Sequence, residues 1–175
     1  DYPCGMAIDS QGSVFLTGFT RSANFPKKNS HKKTIDGYSD AFVAKLNPAG
    51  TAVVYSTVFG GSERDRPSEI QADAKGYAYV TGVTESADFP VLNAFDASYA
   101  GGEGDIFLTK IAPAGKPFVF STYLGGAGED EGESLAVDGK GNVYVLATTA
   151  SSKMPVPNAY DKTLGGEYDA YLAKF

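Results

Sequence analysis

The chain has no tryptophan, two methionines, one cysteine (Cys4) and one histidine (His31) in 175 residues. A lone cysteine excludes an internal disulfide, and Cys4 with His31 falls short of the four ligands of a structural zinc site. A Ser-His-Asp triad would have to use His31, which sits in the polar run Lys27-Lys-Asn-Ser-His-Lys-Lys33 with no carboxylate close in sequence to orient it. A Cys-His pair would need both residues. Positive charge is short as well. Fifteen Lys and Arg against 21 Asp and Glu leave a net charge of −6, which argues against nucleic acid as a partner, because phosphate binding needs a basic footprint. No stretch approaches the ~20 apolar residues of a membrane-spanning helix, and no run keeps a helical period. The first residue is Asp1 and no charged-then-apolar leader precedes it, so the chain reads as a processed product or an excerpt.

What the chain does have is aromatic surface and repetition. Apolar residues make up 42%, with eleven Phe and eleven Tyr, enough to build a core. Asp9-Ser-Gln-Gly12, Asp73-Ala-Lys-Gly76 and Asp138-Gly-Lys-Gly141 recur 64 and 65 residues apart, each opening a β-rich stretch. Asp40-Ala-Phe-Val-Ala-Lys-Leu46 returns as Asp105-Ile-Phe-Leu-Thr-Lys-Ile111 and as Asp169-Ala-Tyr-Leu-Ala-Lys-Phe175. A period this long, with several strands per copy, signals an array or propeller.

The middle copy resolves into four strands. Ser68 to Asp73 has a strand's length, and the Asp-x-x-Gly turn follows, with Gly at the positive-φ position and Asp bonding the turn's own backbone. Tyr77 to Thr84 alternates in strand fashion. A long excursion through Phe89-Pro90 leads to a third strand, Asp105 to Ile111, with Phe107 and Leu108 facing opposite sides. After the turn at Pro113-Ala-Gly115, Phe118 to Leu124 makes a fourth strand, ending at Gly125-Gly126. The expected fold is therefore an all-β propeller of four-stranded antiparallel blades. About three blades are visible: 1–64, 65–129 and 130–175, the last without its outer strand. A blade has two apolar faces, so this arc needs further blades from the same chain or from other copies of it.

The residues that repeat resemble the bacterial SBBP family, the seven-bladed β-propeller repeat. The matching runs are Tyr55-Ser-Thr-Val-Phe-Gly-Gly61, Phe120-Ser-Thr-Tyr-Leu-Gly-Gly126, Leu135-Ala-Val-Asp-Gly-Lys-Gly-Asn-Val-Tyr-Val145, Ser86-Ala-Asp-Phe-Pro90 and Asp40-Ala-Phe-Val-Ala-Lys-Leu-Asn-Pro-Ala-Gly50. The resemblance implies a secreted or cell-surface propeller, often one part of a larger extracellular protein. It implies no established enzymatic activity and carries no catalytic residues or cofactor. The third copy departs from the pattern, with Met154-Pro155 for Phe-Pro and Leu146-Ala147 for Thr-Gly.

Few groups stand out as sites. Glu129, Asp130, Glu131 and Glu133 form the most acidic segment, and an oxygen-rich loop of this kind could hold Ca²⁺. The corresponding loop of the second copy, Glu63-Arg-Asp-Arg-Pro67, carries two arginines that neutralise it. Asp9, Asp73 and Asp138, with Gly12, Gly76 and Gly141, read as structural turn residues; Asp40, Asp105 and Asp169 read as structural too, because residues repeated in every blade are spread around the ring. Lys27, Lys28, Lys32 and Lys33 around His31 reverse the sign of charge locally and offer a contact surface for an acidic polysaccharide or a protein. Tyr38, Tyr99 and Tyr168 lie outside strand interiors and join that surface. The expectation is a non-catalytic extracellular scaffold or interaction module. The alternative is a lectin or glycosidase using the propeller's central mouth, which requires non-repeated carboxylates or aromatics at one end of the channel.

Overall fold

A computed structural model of the chain describes residues 1–155, 161 and 163–175. Eleven strands are described: β1 (Tyr2–Ile8), β2 (Val14–Thr20), β3 (Asp40–Leu46), β4 (Val53–Phe59), β5 (Asp65–Ala72), β6 (Ala78–Thr84), β7 (Asp105–Ile111), β8 (Phe118–Leu124), β9 (Asp130–Val137), β10 (Val143–Thr149) and β11 (Asp169–Lys174). They form three antiparallel sheets in sequence order, β1-β2-β3-β4, β5-β6-β7-β8 and β9-β10-β11, with no helix among the described residues. The first strands stand closest together, β1 against β5 and β5 against β9, and the sheets splay outward from there, as blades do.

The first strand of the second blade starts earlier than its composition suggests. The expected start at Ser68 avoids Pro67, which cannot donate to a ladder. In the structure the strand begins at Asp65, because a bulge between Pro67 and Glu69 absorbs the proline. Bulges fall at the matching place in the other blades, at Pro3/Gly5 and opposite Leu146/Ala147. The kink aims Asp65 and Asp130 inward at the start of their strands, and both are fully buried.

Period-two alternation gives the middle blade two cores. One face puts Ile70, Val80, Phe107 and Tyr123 against Phe15, Val43, Tyr55 and Phe59 of the first blade. The other puts Tyr79, Ile106, Leu108 and Leu124 against Leu135, Val143, Val145 and Tyr171 of the third. Phe107 and Leu108 thus face opposite cores. Phe59 anchors the first core, with edge contacts to Phe89 (6.1 Å), Phe107 (6.1 Å) and Phe118 (5.4 Å). Phe42 is buried too, but against Phe25 on the face turned away from the middle blade. On the outer faces Met6, Ile8, Leu146 and Leu172 stay exposed.

The long excursions wrap the outer wall of the blades. Lys28 exchanges backbone hydrogen bonds with Ser56 on β4 (2.9 and 2.8 Å), and Leu92 does the same with Ser121 on β8 (2.9 and 2.8 Å). Each excursion therefore satisfies part of the free edge of the outermost strand, which would otherwise invite pairing with another chain. His31 then stacks on Phe118 of the next blade (4.2 Å), and Phe95 meets Phe175 of the third blade edge-on (5.9 Å).

Phe59→Ala should cost about 3–5 kcal/mol, because it empties the centre of the aromatic cluster that joins two blades. Urea unfolding followed by tyrosine fluorescence and circular dichroism together tests this. A loss below about 1 kcal/mol would show that the blades do not rely on that core.

Candidate functional site: the blade junctions

Between consecutive blades the chain passes through a Gly-Gly pair flanked by buried carboxylates. Asp65 Oδ1 accepts from Thr84 Oγ1 (2.5 Å), and its Oδ2 accepts from the Gly61 amide (2.7 Å) and from Ser86 Oγ (3.1 Å). Ser86 Oγ in turn accepts from the Glu63 amide (2.9 Å). The arrangement returns one repeat on. Asp130 accepts from Thr149 Oγ1, the Gly126 amide (2.7 Å) and Ser151 Oγ (2.7 Å), and Ser151 accepts from the Gly128 amide (2.8 Å). In the first blade Thr20 Oγ1 donates to Asp1 Oδ1 (2.5 Å), and Ser22 N donates to Thr20 (3.0 Å). The Asp65 and Asp130 networks each tie the end of one blade to the first two strands of the next. A carboxylate buried this way is stable only with such donors.

The glycines follow from this crowding. A Cβ on Gly60 would lie 2.4 Å from Asp65 Oδ2 and 2.6 Å from Asp40 Oδ1, and one on Gly125 would lie 2.4 Å from Asp105 Oδ1. Any side chain there would displace a carboxylate. Burial pushes Asp65 up to about 7, against the pull of Thr84, Gly61 and Ser86, and Asp40 adds to the rise. Burial raises Asp40 as well, while Lys32 opposes it.

Lys32 is the unexpected member. Its Nζ lies 3.0 Å from Asp40 Oδ1, 3.6 Å from Asp36, and 3.3 and 3.4 Å from the carbonyl oxygens of Gly60 and Gly61. The lysine run is therefore not one surface. Lys32 points inward because Asp40 is fully buried and needs a counter-charge. Lys28 Nζ donates to Val53 O (2.6 Å) and Lys27 Nζ to Ala23 O (3.3 Å), while Lys33 is exposed. His31 lies on the outer edge of the blade and Cys4 on its innermost strand, so the two do not meet. Tyr38 is held between the guanidinium groups of Arg21 (4.0 Å) and Arg64 (4.4 Å). Tyr99 packs on Tyr123, and Tyr168 donates to Glu129 (2.9 Å).

The acidic segment does not converge. Asp130 turns into the junction, Glu129 accepts from Tyr168, Glu133 accepts from Thr148 (3.2 Å), and Glu131 is exposed. Among the described residues no group of three or more His, Cys, Asp or Glu side chains is arranged to hold a metal ion. The turn aspartates bind their own turns. Asp9 accepts from Gln11 and Ser13, Asp73 from Lys75 and Tyr77, and Asp138 from Lys140 and Asn142, each at 2.9–3.0 Å. Gly12, Gly76 and Gly141 hold φ of 83°, 81° and 87° in these turns. Sequence reasoning missed the Asp-Thr-Ser networks. The signal was available in Thr20-Arg-Ser22, Thr84-Glu-Ser86 and Thr149-Ala-Ser151, which share the long period.

Blades of consecutive antiparallel strands joined by buried polar junctions define a β-propeller repeat protein. Residues 119–152 match the family model SBBP, described as Beta-propeller repeat. The matched stretch runs from the outer strand of the middle blade to Ser152, and so contains the Asp130, Thr149 and Ser151 of the second junction. No curated protein matches the chain.

Two outcomes are expected. An acid whose folded value is raised favours the folded state below its unfolded value and loses that contribution as pH rises. Stability should therefore decline between about pH 4 and 7 through Asp65, and Asp65→Asn should flatten that decline in urea titrations at several pH values; an unchanged profile would remove Asp65 as its source. Lys32→Met should cost about 3 kcal/mol by stranding Asp40, while Lys33→Met stays within about 0.5 kcal/mol. Equal effects would mean that Lys32 has no special place.

Proposed function

We propose that the chain is part of a secreted or cell-surface bacterial propeller that does no chemistry of its own and serves as a scaffold and interaction module for a protein or polysaccharide partner. The observation that carries this reading is the outer wall. Two excursions follow the same backbone path along β4 and β8, yet present different chemistry: Lys27, Lys28 and Lys33 on one blade, and Val91, Leu92 and Phe95 on the next. A fixed frame with variable side chains suits recognition. The carboxylates that recur in the repeat, by contrast, serve turns and junctions. Further blades, from the same chain or from other copies, would cover Met6, Ile8, Leu146 and Leu172.

The lysine wall fits an acidic polymer. Alginate or polygalacturonate should retain the protein at low salt, and Lys27→Glu, Lys28→Glu and Lys33→Glu together should weaken that retention about tenfold or more. A panel of glycosides run alongside should show no hydrolysis. Turnover that disappears on substituting a carboxylate would favour a propeller glycosidase and contradict the scaffold reading.

A further inference from the structure

The two described junctions differ at the place that Lys32 fills. In the first, four residues beyond the Lys28–Ser56 pair, the excursion places Lys32, whose ammonium touches Asp40 Oδ1 and the Gly60 and Gly61 carbonyls. In the second, four residues beyond the matching Leu92–Ser121 pair, it places Asp96. The rest of the cradle is retained: Asp105 stands for Asp40, and Gly125-Gly126 for Gly60-Gly61. Asp105 Oδ2 accepts from the Ala100 amide (2.8 Å), while Oδ1, the counterpart of the oxygen that Lys32 holds, is buried with no hydrogen-bond partner. Asp105 is fully buried, as is Asp130 beside it, and among the described residues Asp96, Asp105 and Asp130 form no ion pair. By count along the excursion a carboxylate stands where the neighbouring repeat has its cation, with the backbone one residue out of step: the Asp96 amide donates to Thr122 Oγ1 (2.9 Å) as the His31 amide does to Thr57 Oγ1 (2.8 Å).

We propose that the second blade junction is a calcium site, in which the ion takes the place that the Lys32 ammonium occupies in the first. Asp105 Oδ1, the Asp96 carboxylate and the carbonyl oxygens of Gly125 and Gly126 supply the protein ligands, and water completes the shell. Asp96 Oδ1 accepts from the Ser98 amide (2.9 Å), which leaves Oδ2 for the ion. Asp130, already bonded to three donors, adds charge and no ligand. An all-oxygen set excludes the soft metals. A mixture of carboxylate and backbone carbonyl ligands fixed by the fold suits the larger, more tolerant Ca²⁺ over Mg²⁺, which demands near-octahedral geometry and keeps its waters. These residues are apart from the acidic surface of Glu129, Glu131 and Glu133.

Calorimetric titration of the 175-residue chain with CaCl₂, and thermal melts at about 1 mM CaCl₂, at about 1 mM MgCl₂ and in chelator, test the proposal. Calcium should bind at about one ion per chain and raise the melting temperature by several degrees, with magnesium giving less than half of that shift. Asp105→Asn should abolish the response. Asp96→Lys, which rebuilds the first junction, should melt at least as high as the calcium-loaded parent and ignore calcium. No calcium heat and no shift in the parent would overturn the proposal, and so would a full calcium response retained in Asp96→Lys. If either variant fails to fold, Asp96→Asn, expected to weaken calcium binding about tenfold or more, takes its place; unchanged affinity there would also overturn it.

Discussion

Two buried carboxylates meet at each described blade junction, and the chain that links the blades has to pass beside them. Asp40 with Asp65, and Asp105 with Asp130, lie where water cannot reach and where like charges repel. An unpaired charge in such a place costs several kcal/mol, so each must be held by donors, a cation or a proton. The Gly-Gly link, the Thr-x-Ser pair at the end of the second strand and the bulge that opens the first strand all serve that need. The aromatic cores supply the larger area of contact, but the carboxylates fix how one blade is set against the next.

This division explains why the repeated residues are poor guides to chemistry. Asp9, Asp73 and Asp138 close turns, and the junction aspartates bind amides and hydroxyls. What differs from blade to blade lies in the excursions, which run along the outermost strands and reach over to the following blade. His31 on Phe118 and Phe95 on Phe175 both carry an excursion onto the next blade, the first as a stack and the second edge-on. The excursions thus act both as edge protection and as the variable surface, and one of them contributes Lys32 to a junction interior.

Much of the architecture was legible because strand period, turn chemistry and repeat spacing act locally. Asp105 to Ile111 and Phe118 to Leu124 are strands at those limits, and the opposite facing of Phe107 and Leu108 follows from the pleat. The start of β5 was not legible, because Pro67 conceals a strand that only a bulge allows. Nor was the fate of Lys32, whose neighbours Lys28 and Lys33 look identical in sequence; only the buried Asp40 across the junction distinguishes it. The acidic run Glu129 to Glu133 was read as one cluster, yet strand alternation sends Asp130 inward and its neighbours elsewhere. Nor does the repeat show that Phe42 packs on Phe25 of its own blade's excursion, since that partner lies in the variable part of the repeat.

The central claim is that the junction carboxylates weld adjacent blades into one cooperative unit. Native-state hydrogen exchange tests it most directly. The amides of Gly61, Glu63 and Asp65, which bond to or lie across the first junction, should exchange only by global opening, with the same free energy as those of Val43 and Val80 in the blade cores. Exchange of the junction amides through a lower-energy local opening, with Val43 and Val80 still protected, would show blades that fold separately and merely lean together.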